Sequence, residues 1–295
     1  MKKFLYEKIL SCLLIVFLIG LNSHTYQKSK YINTDKMNNE LVVFMYHSFT
    51  NNRLKESKYV VNIDDFEKDI IYLKNKGATF LDLGTLYSLY KSKKPLPKNS
   101  VMITIDDGYL NNLTLMLPVI EKHKVNVIIS IVGAFTDNEE NETSKSNYYS
   151  YMTWDEIGQI SKSDYVEIIN HSYDFHAFND LRKGSQKNEK ENLKDYLTLF
   201  YNDTKKVESK IINYTQKKPI AYAYPYGMIS KESEIMLKCM GYKISFSCRE
   251  GINKIDYGKN SLFSLSRYLI TDKIRVETKY WFKTGFMIKL YINKP

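Results

Sequence analysis

An α/β fold built on a parallel sheet is the architecture this sequence predicts, and three observations carry it. Continuous apolar runs such as Leu41–Met45 and Val101–Ile105 recur along the chain without polar alternation, as strands covered on both faces require. Helical segments separate them at the spacing of strand–helix–strand units. Polar clusters follow directly on several runs, where barrels of this class carry their chemistry. The sheet is either open or closed into a barrel.

The elements follow in order. Leu41–Met45 reads as the first buried strand. Asp65–Lys76 reads as a helix, with Phe66, Ile70 and Leu73 on one face and Gly77 placed to end it. Val101–Ile105 is the second strand. Asn112–His123 is helical, with Pro118 bending or splitting it. Val125–Val132 is the third strand, and Asp137–Tyr149 is polar enough for a surface loop. Thr153-Trp154-Asp155-Glu156 is a capping box that starts a helix through Ile160. Val166–Ile169 is a fourth strand, followed by a long charged helix over about Glu189 to Tyr214. Ile220–Tyr224 is a strand, Ser230 caps a helix to Met240, and Tyr242–Ser247 is another strand. Leu262–Ile270 adds one more. No internal repeat is present.

Composition bounds the function. The chain has 295 residues, 43% hydrophobic and 14% aromatic, which suffices for a core and excludes wholesale disorder. Three Cys exclude a disulfide scaffold. The formal charge of +10 favours an anionic neighbour such as nucleic acid, a membrane surface or a wall polymer. Nucleic acid is the weakest of these, because the basic residues are spread along the chain and not gathered in one motif.

The N-terminus reads as an address. Lys2 and Lys3 precede an apolar run from Ile9 to Leu21, the pattern of a signal peptide or short signal anchor. The run is shorter than the ~20 residues of a comfortable membrane span. Residues 1–23 are assigned to this signal, 24–40 to a polar spacer, 41–270 to the folded domain and 271–295 to a basic aromatic tail containing Trp281 and Phe282. The expectation is export, with the protein either secreted or held at the outer face of the membrane or wall. In an oxidising space Cys239 and Cys248 either pair or remain two buried thiols.

Three polar clusters sit after apolar strands. Thr104-Ile105-Asp106-Asp107-Gly108-Tyr109 places two carboxylates side by side. Like charges raise each other's pKa unless a cation compensates, and a metal ion would leave one Asp as ligand and its neighbour as base. Asp-Asp-Gly is also a common turn. His171-Ser172-Tyr173-Asp174-Phe175-His176 holds two of the chain's five His. Two His and one Asp leave open positions on a divalent ion, the pattern of a catalytic site. In Tyr222-Ala223-Tyr224-Pro225-Tyr226-Gly227, Pro225 and Gly227 fix a tight loop that can present N–H groups to an oxyanion.

With Met45-Tyr46-His47-Ser48 at the end of the first strand, these clusters resemble the polysaccharide deacetylase family, whose members carry the NodB homology domain (carbohydrate esterase family 4). The resemblance runs from about Leu41 to Ile270. Thr104–Tyr109 matches the family's Thr-Phe-Asp-Asp-Gly motif, and the His171/His176 segment its second motif. In many members those two His stand one position closer. This spacing, the Met-Tyr-His segment and the Ala-Tyr-Pro-Tyr-Gly loop look most like the branch that deacetylates poly-β-1,6-N-acetylglucosamine in biofilm matrices. The fold implied is a distorted seven-stranded (β/α) barrel.

The resemblance implies roles. Asp107, His171 and His176 would hold one divalent metal ion, commonly zinc, with cobalt or nickel accepted. Asp106 would be the general base, and the backbone N–H of Tyr226, next to Pro225, an oxyanion donor. The sequence departs from the usual layout in two places. Most members carry the general acid as a late His, and no His follows His176. His47, at a strand end on the same rim, fits as the displaced acid. Ala223 stands where the third motif has an Arg that orients the base, and Arg267, in Ser266-Arg267-Tyr268, is the candidate to supply that guanidinium from another strand. Tyr109, Trp154 and Tyr173 are each either a group for stacking on sugar or a core residue. The implied function is an exported, metal-dependent N-deacetylase, a monomer whose partner is an acetylated amino-sugar polysaccharide at the cell surface. Peptidoglycan or chitin-type deacetylation and O-acetyl ester hydrolysis share every motif. A non-catalytic carbohydrate binder would not need both Asp106 and Asp107.

Overall fold

A computed structural model describes residues 39–276 and the backbone of 291–292. The signal, most of the spacer and nearly all of the tail beyond Val276 lie outside the described residues, as do Cys12, His24, Trp281 and Phe282.

The strands are β1 (Glu40–Tyr46), β2 (Ser48–Thr50), β3 (Val60–Asn62), β4 (Thr79–Phe80), β5 (Ser100–Ile105), β6 (Val127–Ile131), β7 (Val166–Asn170), β8 (Ala221–Ala223), β9 (Ile244–Phe246), β10 (Asn253–Lys254), β11 (Tyr268–Leu269), β12 (Ile274–Arg275) and β13 (Tyr291–Ile292). The helices are α1 (Ile63–Asn75), α2 (Leu83–Lys91), α3 (Leu117–His123), α4 (Gly133–Glu139), α5 (Trp154–Ile160), α6 (Leu193–Thr215) and α7 (Lys231–Met240). The main sheet runs β10-β1-β5-β6-β7-β8-β9, and every neighbour from β1 to β9 is parallel.

The sheet curls toward closure. Residues 262–270 bridge its two ends: Leu265 N–H donates to Ser245, Ser247 N–H donates to Leu265, and β11 pairs parallel with β1. This segment is the seventh stave, so the expected distorted (β/α) barrel is the observed fold. It is less regular than a predicted strand. Only Tyr268–Leu269 has strand geometry, and Ser264 sits at φ 63°.

Strand alternation explains what lies inside. Val101, Ile103 and Ile105 pack outward with Val127, Ile129 and Ile131 beneath α1, α3 and α5. Leu41, Val43, Met102, Ile128, Ile169, Ala221, Ala223, Ile244 and Phe246 form a second core with Leu83 and Leu86 of α2. Thr104 and Asp106 share the register of Met102, so the apolar filling gives way to polar groups toward the C-terminal rim.

Several elements depart from the sequence reading. Helix α2, capped by Asp82 through the Thr85 N–H, was not predicted. The expected Asn112–His123 helix is split, as Pro118 allows: a π turn covers Asn112–Met116 and α3 begins at Leu117. The predicted loop at Asp137 is partly helical, since α4 runs to Glu139. The Thr153 capping box is present as expected. Cys239 and Cys248 are not joined in a disulfide.

Candidate active site

The C-terminal ends of the staves deliver the site. β5 ends at Ile105 and releases Asp106 and Asp107. Asp107 adopts φ 75° and Gly108 φ 78°. A side chain at 108 would put Cβ 2.8 Å from Ile131 Cδ1, so glycine lets the chain turn while Asp107 swings to the rim. β7 ends at Asn170 and releases His171.

Asp107, His171 and His176 converge, with one ligand atom from each lying within 4.8 Å of the others. His176 Nε2 is 3.2 Å and His171 Nε2 3.6 Å from Asp107 Oδ1. The far nitrogens are engaged elsewhere. His171 Nδ1 donates to the Ala223 carbonyl at 2.8 Å, and His176 Nδ1 lies 3.2 Å from the Tyr226 hydroxyl. Such outer partners orient an imidazole and direct its other nitrogen inward. Burial pulls His171 down to about 4 against the attraction of Asp106, so at neutral pH it is an uncharged imidazole with a free lone pair. Asp107 Oδ1 is buried and faces the two imidazole Nε2 atoms without a well-formed hydrogen bond, the condition of an oxygen suited to a cation. Two imidazoles and one carboxylate fit a divalent transition metal.

Asp106 is buried beside them. Its Oδ1 accepts from Ser130 Oγ at 2.7 Å and from Arg267 Nη1 at 2.8 Å. Its Oδ2 lies 4.0 Å from His171 Nε2. Burial alone would raise this carboxyl, but the Arg267 guanidinium and His171 outweigh it and hold it well below the usual carboxylate range. Arg267 is fully buried and also donates to the Ser247 carbonyl and Thr104 Oγ1. The guanidinium absent at Ala223 thus reaches Asp106 from the closing stave.

His47 follows β1 on the same rim. Its backbone carbonyl is held by Asn112 Nδ2 at 3.0 Å, its ring packs on Tyr59 with centroids 4.8 Å apart, and its Nδ1 is buried without a partner. Burial lowers its pKa, while Asp107 and Asp106 pull the other way. Pro225 is buried and Tyr226 sits in the left-handed region at φ 55°, partly exposed, with its ring against His176. Tyr109 stacks on Tyr151 with ring centroids 4.8 Å apart, near enough to Asp107 to feel its charge.

Of the residues read as either sugar-stacking or core, two pack away from the cluster. Trp154 is only 2% exposed and its Nε1 donates to Asp137. Tyr173 gives its hydroxyl to the same Asp137 carboxylate and carries Lys206 Nζ 3.3 Å over its ring. Trp154 is thereby closed off from a sugar, while Tyr173 is partly buried with one ring face taken by Lys206. Sequence reasoning missed Ser130 and Tyr59. The signal for Ser130 was a lone hydroxyl at an inward register of β6; nothing distinguished Tyr59 among 25 Tyr.

A seven-stave barrel with a two-His, one-Asp cluster beside an Arg-held carboxylate defines the chain as a hydrolase of the barrel-rim type. It belongs to the polysaccharide deacetylase family, whose model matches residues 93–245, and it is a polysaccharide N-deacetylase acting on carbon–nitrogen bonds. Among curated relatives, poly-β-1,6-N-acetyl-D-glucosamine N-deacetylase of Staphylococcus aureus is 25% identical over 256 residues, covering 86% of this chain and 79% of the relative. The Escherichia coli enzyme of the same name is 20% identical over 258 residues, covering 79% of this chain and 37% of its own. Among solved structures, IcaB from Ammonifex degensii superposes with a TM-score of 0.66 at 22% identity, covering 80% of this chain and 93% of that one. A de-N-acetylase from Aggregatibacter actinomycetemcomitans gives 0.66 at 21% identity, covering 83% and 98%. These two likenesses concern the fold.

Proposed function

We propose that this chain is an exported, metal-dependent deacetylase that hydrolyses the N-acetyl groups of a β-1,6-linked N-acetylglucosamine polymer at the cell surface. The observation that carries the metal dependence is the convergence of the His171 and His176 Nε2 atoms on one buried carboxylate oxygen of Asp107. The names of the relatives support the polymer. The Lys2–Lys3 start and the Ile9–Leu21 run support export.

Asp107, His171 and His176 would hold the divalent ion, best matched by zinc, with cobalt or nickel as substitutes. Such an ion supplies Lewis acidity toward a carbonyl oxygen and lowers the pKa of water. The chain's own groups do the rest. Asp106 is ionised, and with Oδ1 held by Arg267 and Ser130 its Oδ2 is free to take the proton of the attacking water. The Tyr226 N–H donates to the oxygen that becomes negative as water adds to the acetamide. His47 gives a proton to the departing amine, so the products are acetate and a free amino sugar. A neutral acetylated polymer becomes cationic, and a protein of charge +10 suits the anionic surface on which that happens.

The test is acetate release by the purified protein on β-1,6- and β-1,4-linked GlcNAc oligomers with added zinc or cobalt, beside Asp106→Asn. Release from the β-1,6 series alone, absent in the variant and after chelation, is the expected result. Release from the β-1,4 series only would move the substrate to a wall or chitin-type polymer. Release that chelation leaves untouched would remove the metal from the reading.

A further inference from the structure

The segment between His171 and His176 has no regular secondary structure, yet it must present two imidazoles at a fixed separation. Its four intervening amides are all bound by side chains. Ser172 N–H donates to Asn170 Oδ1 at 2.8 Å, and Phe175 N–H to Ser172 Oγ at 3.2 Å. The middle pair goes to one carboxylate on α6: Tyr173 N–H donates to Asp203 Oδ1 at 2.8 Å, and Asp174 N–H to Asp203 Oδ2 at 2.7 Å. Asp203 is 8% exposed. The same turn of α6 holds the segment's start, because Asn170 Nδ2 donates to the Thr204 carbonyl at 2.9 Å. On the other side Gly133 and Ala134 N–H donate to the carbonyls of Ser172 and Tyr173.

A carboxylate gripping two consecutive amides is a strong, directional contact, because both bonds are charge-assisted. It fixes two successive peptide units midway between the two imidazoles, where Ser172 has already turned the chain at φ 71°. We propose that Asp203 is a positioning residue for the metal site. By holding the Tyr173 and Asp174 amides it sets the separation of His171 and His176, and through it the affinity and geometry of the ion they bind. This rests on the metal reading above. Asp203 touches neither ligand side chain and is not itself a ligand.

The experiment compares the full-length protein with Asp203→Asn, which keeps the shape and one acceptor but turns an NH2 toward the second amide. Zinc affinity is measured by competition with a chromophoric chelator, and the cobalt-loaded proteins are compared by visible absorption. The metal-free proteins are melted to verify a cooperative fold. The expected result is a loss of ~10–100-fold in zinc affinity, the range for partners of metal ligands, and an altered cobalt spectrum on a folded protein. Unchanged affinity and spectrum would overturn the positioning role. If the variant does not fold, the wild type answers by hydrogen exchange. Zinc must then raise protection at the Tyr173 and Asp174 amides, since a clamp coupled to the ion is stabilised by it in return; unchanged protection overturns the proposal. A wild type that binds no divalent ion overturns the metal reading, and this inference with it, whereas failure confined to the variant comparison leaves the metal reading standing.

Discussion

Replacing Arg267 by methionine removes the one guanidinium that touches Asp106 while filling most of its volume. Arg267 is wholly buried and divides its donors among Ser247 O at 2.8 Å, Thr104 Oγ1 at 3.1 Å and Asp106 Oδ1 at 2.8 Å. Its removal leaves a buried carboxylate supported by Ser130 alone and a carbonyl without its charged donor. Breaking a buried pair in this way costs about 3–5 kcal/mol. The sign with pH is fixed by the direction of the Asp106 shift. In the wild type the carboxyl is depressed, so the pair's contribution is present above the unfolded pKa and fades as pH falls. In the variant, burial without the guanidinium raises the same carboxyl, so its penalty is relieved on acidification. The stability gap is therefore widest near neutrality and narrows toward about pH 4. Urea unfolding of the metal-free proteins at both pH values reads this directly. Acetate release, at saturating metal, falls by roughly 10²-fold or more if Asp106 is the base, with the acid limb of the rate profile displaced upward. Arg267→Lys recovers little, because an ammonium cannot span Ser247 and Asp106 together. A methionine variant as stable as wild type near neutrality, or as active with its metal bound, would refute the reasoning.

Two other perturbations test separate parts of the structure. His47→Asn should lower the rate of amide hydrolysis by roughly 10²–10⁴-fold yet barely affect 4-nitrophenyl acetate, whose leaving group needs no proton; an equal loss on both substrates would deny the imidazole its acid role. Glu167 lies on β7 inside the lower barrel, accepts from the Leu83 N–H at 2.7 Å, and is pushed up by burial from 4.5 to about 7. A carboxyl raised on folding holds its proton longer in the native state, so wild-type stability falls as pH rises between those values, by about 3 kcal/mol at most. Glu167→Gln should flatten that part of the curve in thermal melts run at several pH values, and an unchanged slope would place the titration elsewhere.

Which parts of this site were legible in the sequence follows from how each residue is held. Asp106, Asp107, His171 and His176 lie immediately beyond apolar strands, so linear position and chemical function coincide. The grip on them does not. Asp203 is thirty residues past Tyr173 in a helix that also carries Lys194, Lys205, Lys206, Lys210, Asp195 and Glu208, where one more acid looks like solvated surface; only folding places it against two amides. Ser130 is a single hydroxyl in an Ile-rich strand. Trp154 was correctly placed at a helix start, but the destination of its ring was decided by Asp137 on a neighbouring helix. α2 escaped because its two buried residues, Leu83 and Leu86, are too few to mark a helical face among Gly84, Tyr87 and Tyr90.

The relocation of the guanidinium shows why position along the chain is a poor guide inside a barrel. The inward positions of all staves converge on one lumen, so a charge needed beside Asp106 can be supplied from any stave whose register matches. Ala223 is buried within the core, and the Arg267 guanidinium lies 5.8 Å from the ring of Phe246 on the adjacent β9. A second long cation at 223 would compete for the volume that Phe246 and Arg267 already fill, and interiors at crystal-like density do not accommodate both. Small residue and distant arginine are thus two halves of one packing solution. The constraint acts on the space around Asp106, and it can be met from β8 or from the closing segment provided that exactly one guanidinium arrives.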